Sequence, residues 1–149
     1  MNDEEYAEYR PRLARDFADE MVEAGEWLRE EALRRATEGH DRRLPEGLAT
    51  PGMVILVAET DSDGVVGRVW IELEHNGSPE AWINDIEIDA PFRGRGHGRE
   101  LLIAAEEVVR GRGIPQIGLN VFAWNETARR LYASSGYEVS SMRMRKSLD

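Results

Sequence analysis

The sequence predicts an α+β fold on a mixed sheet, and three observations carry that prediction. Apolar side chains over the first 48 residues recur at helical spacing. From Met53 the pattern turns into short apolar runs separated by turn signals. A strand, a glycine-rich turn, a helix and another strand then follow over residues 81–122, a passage that needs a parallel crossover. A chain of 149 residues suits one domain and is short for two.

The elements follow in chain order. Leu13, Phe17, Met21 and Val22 mark one face of a first helix, with Pro11 in its first turn and Gly25 ending it. A second helix starts near Trp27, turns Trp27, Leu28, Ala32 and Ala36 to one side, and stops at Gly39. Three antiparallel strands come next. They are Met53–Ala58, Val65–Glu74 and Ala81–Asp89, joined by Asp61-Ser-Asp-Gly64 and by the Asn76-Gly77 hairpin signal. On the third, Trp82, Asn84, Ile86 and Ile88 alternate with Ile83, Asp85 and Glu87. Leu101–Val109 is a helix and Gln116–Phe122 a strand. Asn125 caps a helix that runs through Ala128, Leu131 and Tyr132 to Gly136 at its C′ position. From Tyr137, Met142 and Met144 alternate with Arg143 and Arg145, which predicts a last strand.

Composition narrows the function classes. The chain has no cysteine, which excludes disulfides and thiolate chemistry and fits a reducing, cytoplasmic setting. The acidic start, Met1-Asn-Asp-Glu-Glu5, is unlike a secretory leader, and no apolar run approaches the ~20 residues of a membrane span. Neither a membrane partner nor a nucleic-acid partner is expected, because a net charge of −10 opposes phosphate binding. That total divides unevenly, with −14 in residues 1–91 and +4 in residues 92–149. His40, His75 and His97 are scattered and give no metal-ligand spacing, so no metal is expected. His40 and His75 fall in turns and take no role. Trp70, Trp82 and Trp124 are candidates to line a pocket, although aromatic residues in strands are usually core.

Arg93-Gly-Arg-Gly-His-Gly98 places glycines at alternate positions between a strand and a helix. Glycine allows positive φ and close backbone approach, so successive amides can point into one anion-binding hollow at a helix N-terminus. The loop lacks the Gly-Lys-Ser/Thr of a Walker loop, and its spacing is not that of a dinucleotide fingerprint.

Ile86-Glu-Ile-Asp-Ala-Pro-Phe-Arg-Gly-Arg-Gly-His-Gly98 resembles the acetyl-CoA signature of the GNAT family of N-acetyltransferases. Asn125-Glu-Thr-Ala-Arg-Arg-Leu-Tyr-Ala-Ser-Ser-Gly-Tyr137 resembles that family's second block, in the right order and at the right separation. The resemblance implies a single acetyltransferase domain over 1–149, with a helical part (1–48) and an acetyl-CoA-binding core (51–139). It implies a mostly antiparallel sheet flanked by helices, with splayed parallel central strands and acetyl-CoA as cosubstrate. Arg93, Gly94, Arg95, Gly96, His97 and Gly98, with Arg99, would hold the pyrophosphate. Main-chain groups of Ile86, Glu87 and Ile88 would pair with the pantetheine arm. Asn125 and Arg129 fall beside the cofactor, and Tyr132 matches the tyrosine that protonates the leaving thiolate.

A base must take a proton from the amine. Glu87 is the candidate chosen here. Asp85, Glu72 and Glu74 are held in reserve, because the glutamate many members carry on the next strand is replaced by Asn120. The expected reaction is direct acetyl transfer to a primary amine on a small molecule or peptide, with a homodimer compatible with the family. A non-catalytic acyl-CoA-binding or regulatory module is the alternative. The family's first strand is hard to find, so the sheet either begins at Met53 or lacks that strand.

Overall fold

The computed structural model describes residues 1–149 and has four helices and a four-stranded sheet. The helices are α1 (Asp3–Glu23), α2 (Arg29–Arg43), α3 (His97–Gly111) and α4 (Glu126–Ser134). The strands are β1 (Met53–Thr60), β2 (Gly64–Glu72), β3 (Glu80–Ile88) and β4 (Gln116–Leu119), in the spatial order β1-β2-β3-β4. The β1–β2 and β2–β3 pairs are antiparallel and β3–β4 is parallel, which gives the expected α+β class and mixed sheet. The sheet begins at Met53.

Helix α1 starts eight residues before Pro11, so Pro11 lies inside it and not in its first turn. A capping box sets that start. The Asn2 side chain accepts from the Glu5 amide and the Glu5 carboxylate accepts from the Asn2 amide, which satisfies two donors that a helix end leaves free. Helix α2 runs past Gly39 to Arg43. A glycine inside a helix costs only about 1 kcal/mol, and Ala32, Ala36 and His40, all buried, hold this helix together against α1. Small residues line the contact: Ala14 and Ala18 of α1 meet Ala32 and Ala36 of α2.

The sheet has two buried faces. Val69, Ile71, Ala81 and Ile83 pack on Leu101, Leu102, Ala105 and Val109 of α3. On the opposite face Ile55 and Trp70 meet Tyr9 and Leu13 of α1. Strand β3 does not keep the simple alternation expected of it. Trp70 pairs with Asp85 but its neighbour Ile71 pairs with Ile83, so Asn84 is an extra residue in a β-bulge. The bulge flips parity. Ile86 and Ile88 join Ala81 and Ile83 on the α3 face, while Asp85 and Glu87 turn toward α1.

Beyond the bulge the two parallel strands part. Pairing of β3 with β4 covers only Glu80–Ile83 against Gln116–Leu119. Strand β4 therefore stops short of the predicted Phe122, and the half of β3 from Asp85 to Ile88 has no strand on that side. Residues 137–149 form no strand, contrary to their alternating pattern. Alternation alone cannot make a strand without a partner. Arg143 and Arg145 of this segment instead reach Glu26 in the α1–α2 turn, at 3.0 and 3.4 Å.

One ion-pair network ties the two layers. The Arg68 guanidinium, nearly buried, donates to both oxygens of Asp89 at 2.8 and 3.1 Å, and Arg12 of α1 donates to the same carboxylate. Burial alone would raise Asp89, but the hydrogen bonds from Arg68 and Arg12 hold it below the usual aspartate value. Arg68→Met is expected to cost about 3 kcal/mol, because it strands carboxylates in a partly buried site. A urea midpoint lowered at unchanged slope checks this.

Candidate active site

The end of β3 leads through a short turn, Ala90–Phe92, into the glycine loop. Gly94 and Gly96 both adopt positive φ, at 75° and 92°, and Gly96 is the N-cap of α3. A Cβ at either would meet nothing within 4 Å, so backbone conformation and not crowding requires glycine there. The amides of Gly94, Arg95, Gly96, His97 and Gly98 donate to no acceptor within the chain. Five consecutive free N–H groups at a helix N-terminus form an anion cradle.

The arginines around the loop are occupied. Arg93 Nε donates to the Ile88 carbonyl at 2.8 Å and its guanidinium reaches Glu87 at 3.5 Å. Arg99 donates to Ser134 and Ser135, at 2.7 and 3.2 Å, and so pins the end of α4 to the start of α3. Arg129 donates to the Ala123 carbonyl at 3.1 Å. Arg95 lies over the Phe92 ring and 3.9 Å from Asp63. His97 is half-buried, with Nδ1 3.2 Å from a Glu100 oxygen. The free backbone, more than free guanidinium charge, therefore makes this hollow attractive to a phosphate.

Asn125 caps α4 as predicted, accepting from the Ala128 amide at 3.2 Å. Helix α4 packs Tyr132 against the core formed by β2, β3 and α3, where Ile86 and Ile88 also pack. Its ring lies 5.8 Å from that of Tyr137, and its hydroxyl has no hydrogen-bond partner in the chain. Burial pushes the phenol up to about 12, with the charges of Asp85 and Glu20 adding to the shift. Tyr132, Asp85 and Glu20 are thus close enough to feel one another, although they come from α4, β3 and α1.

The carboxylates divide into two environments. Glu87 faces Arg12 at 2.8 Å, Arg93 at 3.5 Å and Arg68 at 3.7 Å. Asp85 accepts from the Tyr9 hydroxyl at 2.6 Å. Burial pushes Asp85 up to about 6, opposed by the Tyr9 hydrogen bond and by Arg68. Glu20, which sequence reasoning passed over, is pushed up to about 7 by burial and then by the charges of Asp85, Asp16, Glu87 and Glu23. Of the reserve candidates, Glu72 is bound to Arg43 at 2.5 Å and to His75 Nδ1 at 3.0 Å.

A pocket of about 220 Å³ opens beside this cluster, between α1, α2 and β3. Trp27 and Trp70 wall it, and Asp16, Glu20, Asn84 and Asp85 face it. His40, expected in a turn, is a buried residue of α2 between Phe17 and Trp70, with ring centroids at 5.5 and 5.6 Å. Burial, helped by Arg43, lowers it to about 4, so it is neutral at pH 7. A larger hollow of about 610 Å³ lies on the other side of His40 between α1 and α2, but it touches neither β3, α4 nor the glycine loop. Trp82 stacks on His75 at 4.5 Å, and Trp124 stacks on Phe122 at 5.8 Å; neither lines the smaller pocket.

Comparison with known proteins bears on this arrangement. Residues 13–137 match the model of the acetyltransferase (GNAT) family. The chain is 34% identical to YycN of Bacillus subtilis, described as an uncharacterized N-acetyltransferase, across 99% of this chain and 96% of that protein. The crystal structure of YycN superposes with a TM-score of 0.93, covering 99% of this chain and 95% of that one. An acetyl transferase structure from Pyrococcus furiosus superposes at 0.74 with 29% identity, covering 99% of this chain and 97% of the other. The mycothiol acetyltransferase of Stackebrandtia nassauensis is 34% identical over 81% of this chain, but this chain spans only 37% of its length. No helix here is long and apolar enough to cross a membrane. With residues 13–137 matched by the family model and 34% identity to YycN along nearly its whole length, the chain belongs to the GNAT family of acetyltransferases.

Proposed function

We propose that this enzyme is one domain that transfers an acetyl group from acetyl-CoA directly to a primary amine. The observation that carries the reading is free backbone on two neighbouring segments, the amides of residues 94–98 and the half of β3 that β4 leaves unpaired, with the Tyr132 phenol and the raised carboxyls of Asp85 and Glu20 within electrostatic range of one another. The free amides of residues 94–98 suit the CoA pyrophosphate. The edge of β3 around Ile86 and Ile88 that β4 leaves unpaired suits the pantetheine arm.

The amine arrives as an ammonium and gives one proton to the Glu20–Asp85 pair. In this reading the base is that pair and not Glu87, whose charge three guanidinium groups already neutralise. A base works best with a pKa near the operating pH, which burial gives Glu20. The neutral nitrogen attacks the thioester carbonyl and a carbon–nitrogen bond forms. The tetrahedral oxyanion collapses, the carbon–sulfur bond breaks, and the leaving sulfur takes the Tyr132 proton. The nitrogen then releases its second proton, which returns through water to the phenolate. The net products are an acetamide, CoA thiol and one proton.

Thiol release from acetyl-CoA, measured with a panel of primary amines, tests the reading. If acetyl-CoA binds but no amine is consumed, the chain is the non-catalytic acyl-CoA module. A pH profile tests the base. Activity should rise through pH 6–7 as Glu20 and Asp85 ionise, and Glu20→Gln should flatten that limb. The same substitution should change stability. The raised carboxyl binds its proton more tightly when folded, so its contribution is full below the ordinary glutamate value of ~4.3 and lost as pH rises through about 7. Thermal unfolding should therefore show Glu20→Gln more stable than the parent at pH 8 and no more stable at pH 4.

A further inference from the structure

The pocket beside Asp85 is polarised. Asp16 and Glu20 lie one turn apart on α1 and meet Asp85 from β3 at one side. Arg35, Arg42 and Arg43, all on α2, line the same pocket. The positive groups of the lining thus come from one wall, α2, and the carboxyls from the walls formed by α1 and β3.

Two of the arginines are engaged. Arg43 binds Glu72 at 2.5 Å and covers the Trp70 ring at 5.1 Å. Arg35 lies over Trp27 at 5.4 Å and 3.9 Å from Glu31. Arg42 has no ion-pair or hydrogen-bond partner and is exposed. Between Arg35 and Arg42 on the same face of α2 stands Gly39, which also lines the pocket and lets the Arg42 guanidinium pack close against the helix.

A second observation points to an occupant. Both polar atoms of the Asn84 side chain, carried by the bulge of β3, are buried without a hydrogen-bond partner. Nδ1 of His40, a residue only 8% exposed, is buried and unpartnered as well, and both residues line the pocket. Buried polar groups are nearly always satisfied, so these donors and acceptors match a polar ligand. The volume limits its size. About 220 Å³ lies below the roughly 300–1,000 Å³ of pockets for drug-sized ligands. A large polycation is too big for it.

We infer that the acceptor is a small zwitterion, with its amine directed to Asp16, Glu20 and Asp85, its carboxylate or phosphate to Arg42, and its polar middle to Asn84 and His40. This inference rests on the acetyl-transfer reading above. The half-buried Glu20 and buried Asp85 carboxyls favour an ammonium, and the unpaired Arg42 guanidinium recognises an anion.

The test uses matched amines. Glycine, β-alanine, 4-aminobutyrate and 2-aminoethyl phosphate are each compared with the same amine lacking its anionic group. Thiol release from acetyl-CoA gives kcat/KM for each member, and calorimetric titration into the CoA-bound protein gives its affinity. At least one zwitterion should exceed its uncharged-end partner at least tenfold in both measurements. The chain-length series gives the spacing, and the phosphate member separates the two anions. Arg42→Gln, at an exposed residue with no partner to lose, should collapse that ratio to near one. Equal or better use of the amines without an anion overturns the inference while leaving acetyl transfer intact. Selective zwitterion binding without any thiol release supports the pocket assignment and overturns the catalytic reading. Binding of no small amine at all overturns the pocket assignment.

Discussion

Gly96→Glu is expected to lower acetyl-CoA affinity by about 100-fold or more. Each amide bond to a charged oxygen contributes ~1.5–3 kcal/mol, and about 2.7 kcal/mol corresponds to that factor. Gly96 stands at φ 92° as the N-cap of α3. A side chain there must either bear left-handed strain, about 1–2 kcal/mol, or rotate the neighbouring amides out of the cradle. Glutamate also sets a negative charge beside the phosphates. Since a Cβ at this position meets no neighbour, the fold should survive with a modest drop in melting temperature. Calorimetric titration with acetyl-CoA and a thermal melt separate the two effects. Parent-like affinity in the folded variant would show that the cradle does not hold the cofactor.

The second large effect belongs to Tyr132→Phe. We expect kcat to fall about 10²–10⁴-fold, the usual contribution of a positioned proton donor. Acetyl-CoA affinity and melting temperature should hardly change, because the hydroxyl makes no hydrogen bond in the chain and the ring is retained. A core aromatic with no chemical role would show the reverse pattern, with kcat unaltered. The raised phenol stays protonated across the working pH range, so its proton is in place when the carbon–sulfur bond breaks.

Local signals were legible in the sequence. The glycines of the loop, the Asn125 cap and the turn residues between strands act over a few positions, and each fixed its piece of backbone where expected. Asn84 left no such mark. One additional residue in a strand changes neither composition nor turn chemistry, yet it reverses the facing of every side chain after it. That reversal takes Ile86 and Ile88 away from Trp82 and points Asp85 at Tyr9. Glu20 was equally hidden. It reads as one more acidic residue on a solvated helix face, and only packing of α1 across the sheet brings it to Asp85. The Met142/Met144 alternation misled for the opposite reason, since a local strand pattern carries no information about whether a partner strand lies within reach.

The parting of β3 and β4 also links the cosubstrate to the folding equilibrium. An inner strand that from Asp85 to Ile88 is paired with β2 but with no strand on its other side is an unfinished sheet, and water is the poorer of the two ways to finish it. In the proposed complex the amide-bearing pantetheine completes the ladder. Ligand that binds only the folded chain stabilises it by mass action, about 2.7 kcal/mol at a concentration 100 times its Kd. The supply of acetyl-CoA would then govern how long each molecule of this enzyme survives proteolysis, as well as how fast it turns over.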